Sequence, residues 1–450
     1  MERPVIRIER DLLGEIEVPA FALYGAHTQR AIQNFPLAGQ KSIGDYPEMI
    51  QSLMIIKMAA ASTNSSGGYL EGKKAAAIES AAVAIREGAY ADQFPVHGLH
   101  GGGGTSANMN ANEVLANLAE ESLGGQRGAY RIVHPNDDVN RHQSTNDVYP
   151  TACHISVLIK WPSLEQALRK LSASLFRAGQ RWANVRRIAR TCLQDAVDIT
   201  FSDLFGAYAA YVGRSIARLS EAVDSLHVVN LGGTIVGRAD DVPPDYFASV
   251  IEELRKHSGD GRYMRAENLF LTAQSPDDLI SVSSELESLA RGLVKMGKDF
   301  RLLGSGPETG FGEICLPPVQ AGSSAMPGKV NPVIPEFLIQ LCFQVIGMHA
   351  ACVLALDHGE LDLNVWESVI VFNILDSMSL IDKAATTFQE KCVDGLEINA
   401  ERNRKNSDTI VPFLTRLAKE HSYSEVSEVC KEAGGDLDRL RKLLGEKGLT

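Results

Sequence analysis

The chain has 450 residues, of which 44% are hydrophobic and 22% charged, an ordinary balance for a globular protein in water. Lys and Arg number 44 against 56 Asp and Glu, for a net charge of −12. With no basic tract to offset it, this acidity argues against DNA or RNA as a partner, while a small anionic substrate stays compatible, because a pocket can be locally positive on an acidic protein.

At the start, "VIRIERDLLGEIEVP" predicts a short hairpin. The opening residues are charged and lack an apolar leader core, so no signal peptide is expected. Asn64-Ser65-Ser66 matches a glycosylation sequon, which without a secretion signal reads as chance. Residues 95–150 are rich in Gly, Asn and His, and loop is expected over much of that stretch. Long helices are expected at 151–182, 203–229, 275–303, 333–357 and 365–391. In 275–303, Ser275 suits an N-cap and Pro276 the first helical position. Leu279, Val282, Leu286, Leu289, Leu293, Met296 and Phe300 then follow at steps of 3 and 4, an a/d seam. Tyr208, Val212, Ile216, Leu219, Val223 and Leu226 repeat it in 203–229.

Helices this long exceed the usual mean of about 11–12 residues. The fold class expected is mainly α: an elongated bundle, shared by several chains packed side by side. The apolar stretch 337–356 carries Gln340, Gln344 and His349 between acidic flanks, which favours a buried bundle helix over a membrane span. After about 395 the pattern turns shorter and more charged. The division expected is a mixed helical domain at 1–140, the long-helix bundle at 141–395 and a small helical domain at 396–450. Seven scattered cysteines without a C-x-x-C pair read as reduced thiols of a cytoplasmic protein.

Four polar stretches stand beside these helices: "GGGGTSANMN" at 101–110, "HPNDDVNRHQSTNDVYPT" at 134–151, "ARTCLQDAV" at 189–197 and "AGSSAMPGKVNP" at 321–332. The last fails as a phosphate-binding P-loop, since five residues separate Gly322 from Gly328 and Val330 follows Lys329. The glycine run is no dinucleotide fingerprint, and no His/Cys set has metal-ligand spacing, so no metal is expected. Hydroxyls, amides and a lysine together bind carboxylates. They can also hold the doubly charged enediolate formed when a carboxylate loses its α-proton. Turn chemistry and helix capping explain any one loop alone; four in one helical protein favour a site.

"GSSAMPGKVNP" resembles the G-S-S-x-M-P-x-K-x-N signature of the aspartase/fumarase superfamily at every fixed position. "GGGGTSANMNANEVLAN", "HPNDDVNRHQSTND" and "RTCLQDAV" resemble its other blocks, over roughly residues 5–435. "RIERDLLGEIEVPAFALYGAHTQRAIQNF", "KVNPVIPE" and "HGELDLNVWE" are closer to the aspartate ammonia-lyases than to the fumarases within it. The resemblance implies a homotetramer with a central twenty-helix bundle, five helices per chain, and active sites shared by three subunits. It implies anti-elimination of ammonia from a succinate-type amino acid, giving fumarate, with no organic cofactor.

Residue by residue, the resemblance makes Ser323 the base that removes the Cβ proton. Thr105, Ser144, Thr145 and Ser324 would hold the β-carboxylate and its aci form, Lys329 and Asn331 the α-carboxylate, and Asn146 and Thr191 the amino group. His27, His97, His100, His134 and His142, which flank these blocks, are expected to be structural.

The sequence also departs from the family pattern. Where the third block normally reads T-H, it has Thr191-Cys192. Asp198 stands in place of proline in "QDAVP", Arg238 in place of a small residue in "GTAxGTGLN", and Ser368 in place of proline in "LNxxEP". Cys192 and Arg238 are therefore candidate specificity residues, because an arginine in the pocket could pair with an added anionic group. The competing readings are an ammonia-lyase acting on aspartate, a variant carbon–nitrogen lyase using another amine or a substituted aspartate, a fumarase-type hydro-lyase, and a silent binding protein.

Overall fold

The computed structural model describes residues 5–449. A hairpin opens the chain, with β1 (Ile6–Asp11) antiparallel to β2 (Gly14–Pro19). Four helices follow: α1 (Ala26–Asn34), α2 (Pro47–Ser66), α3 (Gly72–Arg86) and α4 (Thr105–Ser122). The first long helix is α5 (Thr145–Arg181). A second hairpin, β3 (Arg186–Thr191) and β4 (Gln194–Thr200), leads into α6 (Phe201–Ser225). After α7 (Pro244–Ser258) and the short α8 (Leu269–Gln274) come the long helices α9 (Asp277–Leu303), α10 (Val333–Asp357) and α11 (Glu367–Phe388). The chain closes on α12 (Ala400–Ser407), α13 (Ile410–Glu420), α14 (Tyr423–Ala433) and α15 (Leu437–Glu446).

The five long helices are those expected from periodicity. Every α9 seam residue, from Leu279 to Phe300, is at most 1% exposed, and the α6 seam is buried too. Two boundaries differ for physical reasons. Helix α5 begins at Thr145 rather than 151 and runs through Pro150. Pro150 has no N–H for the Asn146 carbonyl four residues back, and the Asn230 side chain supplies that donor at 3.1 Å. Within 95–150, expected to be loop over much of its length, Thr105–Ser122 form α4 while 95–104 and 123–134 are loop. The asparagines of α4, which usually favour turns, donate to distant groups: Asn110 to the Gln93 carbonyl (2.9 Å) and Asn117 to the Leu23 carbonyl (2.7 Å).

By density of contact the chain divides into two units. One holds Met1–Leu164, Ala217–Ser288 and Gln344–Leu380; the other holds Glu165–Ile216, Leu289–Phe343 and Ile381–Thr450. They cut across the consecutive division at 140 and 395, because each long helix contributes residues to both. In the first unit α2 packs on α3 and α7. In the second, α13–α15 enclose an apolar cluster of Ile410, Leu417, Val426, Val429, Leu440 and Leu444.

Helix α10 is long and apolar enough to cross a membrane, with mean hydropathy 1.9, and only 28% of its most apolar window is buried. Phe337, Phe343 and Leu354 lie exposed along it. Its His349 nonetheless meets Ser283 of α9 at 2.9 Å, a polar pairing typical of a helix bundle.

Candidate active site

In the first unit two helix starts are tied together. Gly102, Gly103 and Gly104 have φ of +91°, +60° and +88° and turn the chain into Thr105, the first residue of α4. A Cβ on Gly104 would stand 2.3 Å from the Tyr149 ring, so backbone and space both demand glycine here. Gly104→Ala is expected to cost about 2–4 kcal/mol, combining a left-handed penalty with overpacking. Denaturant unfolding measures that loss, and an unchanged midpoint would contradict it. Asn108, in the first turn of α4, donates to Thr145 Oγ1 at 3.2 Å and so brings the start of α5 alongside. Two helix starts side by side also bring two positive dipole ends together, which favours an anion.

Ser144 precedes α5 and caps it reciprocally. Its Oγ accepts from Asn146 N–H (3.2 Å), while its own N–H donates to Asp147 Oδ1 (2.9 Å). Asp147 Oδ2 accepts from the Gly232 and Thr234 N–H groups at 2.9 and 3.2 Å, and Asn146 Nδ2 donates to the Ile235 carbonyl at 2.9 Å. The segment 230–238 is thereby wrapped onto the helix start. Burial pushes the Asp147 carboxyl up to about 6, against the three N–H donors that favour its charged form. Thr105, Ser144, Thr145 and Asn146 thus gather in one place. Three of the histidines hold structural contacts: His134 Nδ1 accepts from the Asn136 and Asp137 N–H groups, His97 Nδ1 accepts from Leu99 N–H, and His142 meets Asn64 Oδ1 of α2 at 2.6 Å.

In the second unit the β3–β4 hairpin pairs Thr191 with Gln194 across a two-residue turn, Cys192-Leu193, at φ of +52° and +61°. This is the backbone of a type I′ turn, which usually takes Asn-Gly. The hairpin is anchored from below, where Arg190 Nη2 reaches buried Glu313 at 2.6 Å, with Arg187 at 3.5 Å. Thr191 and Cys192 are exposed at its tip.

The loop at 321–332 closes on itself. Gly322 N–H donates to the Lys329 carbonyl at 2.8 Å, and Asn331 Nδ2 donates to the Gly322 carbonyl at 2.8 Å. Inside it, Ser323 Oγ accepts from the N–H groups of Ala325 (3.1 Å) and Met326 (3.0 Å). Ser324 and Lys329 are exposed. Among the described residues no group of three His, Cys, Asp or Glu side chains could hold a metal ion.

A family model described as "Lyase" matches residues 14–347. The chain is 41% identical to the aspartate ammonia-lyase of Pseudomonas aeruginosa, over 99% of this chain and 95% of that protein. It is 39% identical to the one from Bacillus subtilis, over 95% and 89%. The chain belongs to the aspartase/fumarase superfamily. Among solved members of that superfamily, a fumarate lyase:delta crystallin of Brucella melitensis superposes with a TM-score of 0.91 at 42% identity, over 99% of this chain and 97% of that one. A class II fumarase of Schistosoma mansoni does so with a TM-score of 0.95 at 30% identity, over 99% and 96%.

The positions that depart from the superfamily pattern now have places. Arg238 is half exposed and pairs within its own loop, to Asp240 at 3.2 Å and Asp241 at 3.5 Å. It lines an open groove of about 690 Å³ with Phe247, Arg265 and Phe270. Asp198 accepts from Arg186 (3.1 Å) and Arg416 (3.0 Å), a structural pairing along β4. Buried Ser368 meets the Tyr149 hydroxyl at 2.8 Å and so orients the ring that abuts Gly104.

Beside Ser368, Glu367 is buried near the His154–Asp278 pair (3.2 Å), and burial pushes its carboxyl up to about 8. The unfolded chain releases that proton near 4.5. The folded chain therefore holds an extra proton between about 4.5 and 8, and stability falls as pH rises through that window. In Glu367→Gln the decline of Tm from about pH 5 to 8 should be shallower, by about 2 °C or more. Parallel curves for the two proteins in scanning calorimetry would contradict this.

Proposed function

We propose that the protein is a carbon–nitrogen lyase that eliminates ammonia from L-aspartate to give fumarate. The observation that carries this reading is the Ser323 hydroxyl, held by two backbone N–H donors in a chain about 40% identical to aspartate ammonia-lyases throughout. A serine is a useful base only as an alkoxide, and N–H donors aimed at its oxygen stabilise that form. Ser323 takes the Cβ proton. Thr105, Ser144, Thr145 and Ser324 donate to the β-carboxylate as it gains a second negative charge. Lys329 and Asn331 hold the α-carboxylate, and Asn146 and Thr191 hold the departing amine. Binding the dianion more tightly than the substrate is what lowers the barrier.

The working form in this reading is a cytoplasmic homotetramer with a central twenty-helix bundle, each site shared by three subunits. The exposed Phe337, Phe343 and Leu354 of α10 support it, since neighbouring subunits would cover them. The free state of all seven cysteines supports a reducing compartment. Cys192 favours a second reading in which a substituted amine leaves, because a thiol is smaller than imidazole and carries no positive charge. Incubating the protein with L-aspartate and measuring fumarate and ammonia together tests the first reading. Equal molar release of both is expected. Turnover of L-malate without turnover of aspartate would replace it with a hydro-lyase.

A further inference from the structure

Midway along α2, in "MIIKMAAA", Lys57 is fully buried, and among the described residues it is the only buried lysine. An ammonium in such a place is costly unless it is paired and hydrogen-bonded. Its Nζ donates to Asn140 Oδ1 and to Gln143 Oε1, each at 2.9 Å. Burial pushes the Lys57 ammonium down to about 7, and the carboxylate of Asp147, also fully buried, opposes that shift by favouring the charged form.

Both amides lead to the hydroxyls assigned above. Asn140 Oδ1 also accepts from Asn108 Nδ2 (3.2 Å), and Asn108 Nδ2 donates in turn to Thr145 Oγ1 (3.2 Å). A threonine oxygen that accepts there keeps its own O–H free to donate elsewhere, as binding a carboxylate requires. Gln143 is further latched by Nε2 to the Val139 carbonyl at 2.9 Å, and Asn140 Nδ2 reaches the Gln143 carbonyl at 3.1 Å. The residues leading into Ser144 are thus clamped onto one ammonium, while Asp147 clamps the Ser144 N–H from the other side.

We propose that Lys57 is a positioning residue for the elimination: through Asn140, Gln143 and Asn108 it sets the direction of the Thr145 and Ser144 hydroxyls that receive the β-carboxylate. This rests on the assignment of those hydroxyls to the substrate. Lys57 does not touch substrate; it acts through the amides.

The test compares wild type, Lys57→Met, Asn108→Ala and Thr145→Val as full-length protein. The measurements are kcat and KM for L-aspartate, the dissociation constant of succinate (a dicarboxylate that cannot react), and Tm. Misplacing the hydroxyls should weaken succinate about tenfold or more and lower kcat/KM about a hundredfold in Lys57→Met. Asn108→Ala, which cuts the relay beyond Lys57 and keeps the ammonium, should weaken succinate severalfold at nearly unchanged Tm. The double variant should lose less than the sum of the two, since both act along one relay. If Lys57→Met does not fold, Asn108→Ala decides by itself. Should Thr145→Val lose succinate while the folded Lys57 and Asn108 variants bind it as wild type does, the inference is overturned and the site assignment stands. If Thr145→Val binds succinate normally, the site assignment has failed instead, and the inference with it.

Discussion

Ser323→Ala should lose turnover of L-aspartate by about 10³-fold or more, while the fold persists and succinate still binds. The hydroxyl is the one group removed. The loop around it is closed by bonds that do not involve Ser323, from Gly322 to Lys329 and from Asn331 to Gly322. The Ala325 and Met326 N–H groups lose their acceptor, but they lie exposed, where water replaces it at little cost. A loss confined to kcat, with the circular dichroism spectrum and succinate affinity unchanged, places the base at Ser323. Full activity in the variant would place it elsewhere.

Lys329→Met should raise KM for L-aspartate about tenfold to a hundredfold, with a smaller effect on kcat. A charge-assisted hydrogen bond is worth about 1.5–3 kcal/mol, and this one is made to the α-carboxylate, whose charge changes least during the reaction. Lys329→Arg should recover only part of the loss, because a planar fork does not reproduce the contact of an ammonium. Steady-state rates for the three proteins check this. A fall in kcat with KM unchanged would move Lys329 from anchoring the substrate to stabilising the transition state.

The long helices were legible because a seam at steps of 3 and 4 is a local property. Leu279 to Phe300 announce their burial within one helix, and the structure buries each of them. The opening hairpin was legible for the same reason, in the short alternating run around a turn. Contacts that cross the chain were not. Pro150 reads as a helix boundary until Asn230, eighty residues on, supplies the missing donor. The asparagines of α4 read as loop because their partners, the Gln93 and Leu23 carbonyls, lie outside the local window.

The candidate site was legible by motif, residue types and resemblance, yet its supports were hidden. Nothing in the polar block at 144–146 points to Asp147 gathering the N–H groups of Gly232 and Thr234. Lys57 left one signal, a lysine alone in an apolar helix, and its meaning appears only with Asn140 and Gln143 in place. Arg238 read as a candidate specificity residue in the pocket, and the structure has it paired with Asp240 and Asp241 of its own loop. Cys192 occupies an exposed turn at positive φ, a position the pattern of cysteines did not suggest.

That leaves the identity of the leaving amine as the central question. Fumarate incubated with the protein and a panel of amines, with loss of fumarate absorbance followed over time, addresses it directly. The account predicts that ammonia is added fastest and that L-aspartate is the product. Faster addition of a substituted amine, with ammonia inert, would contradict it and make Cys192 the residue to examine next.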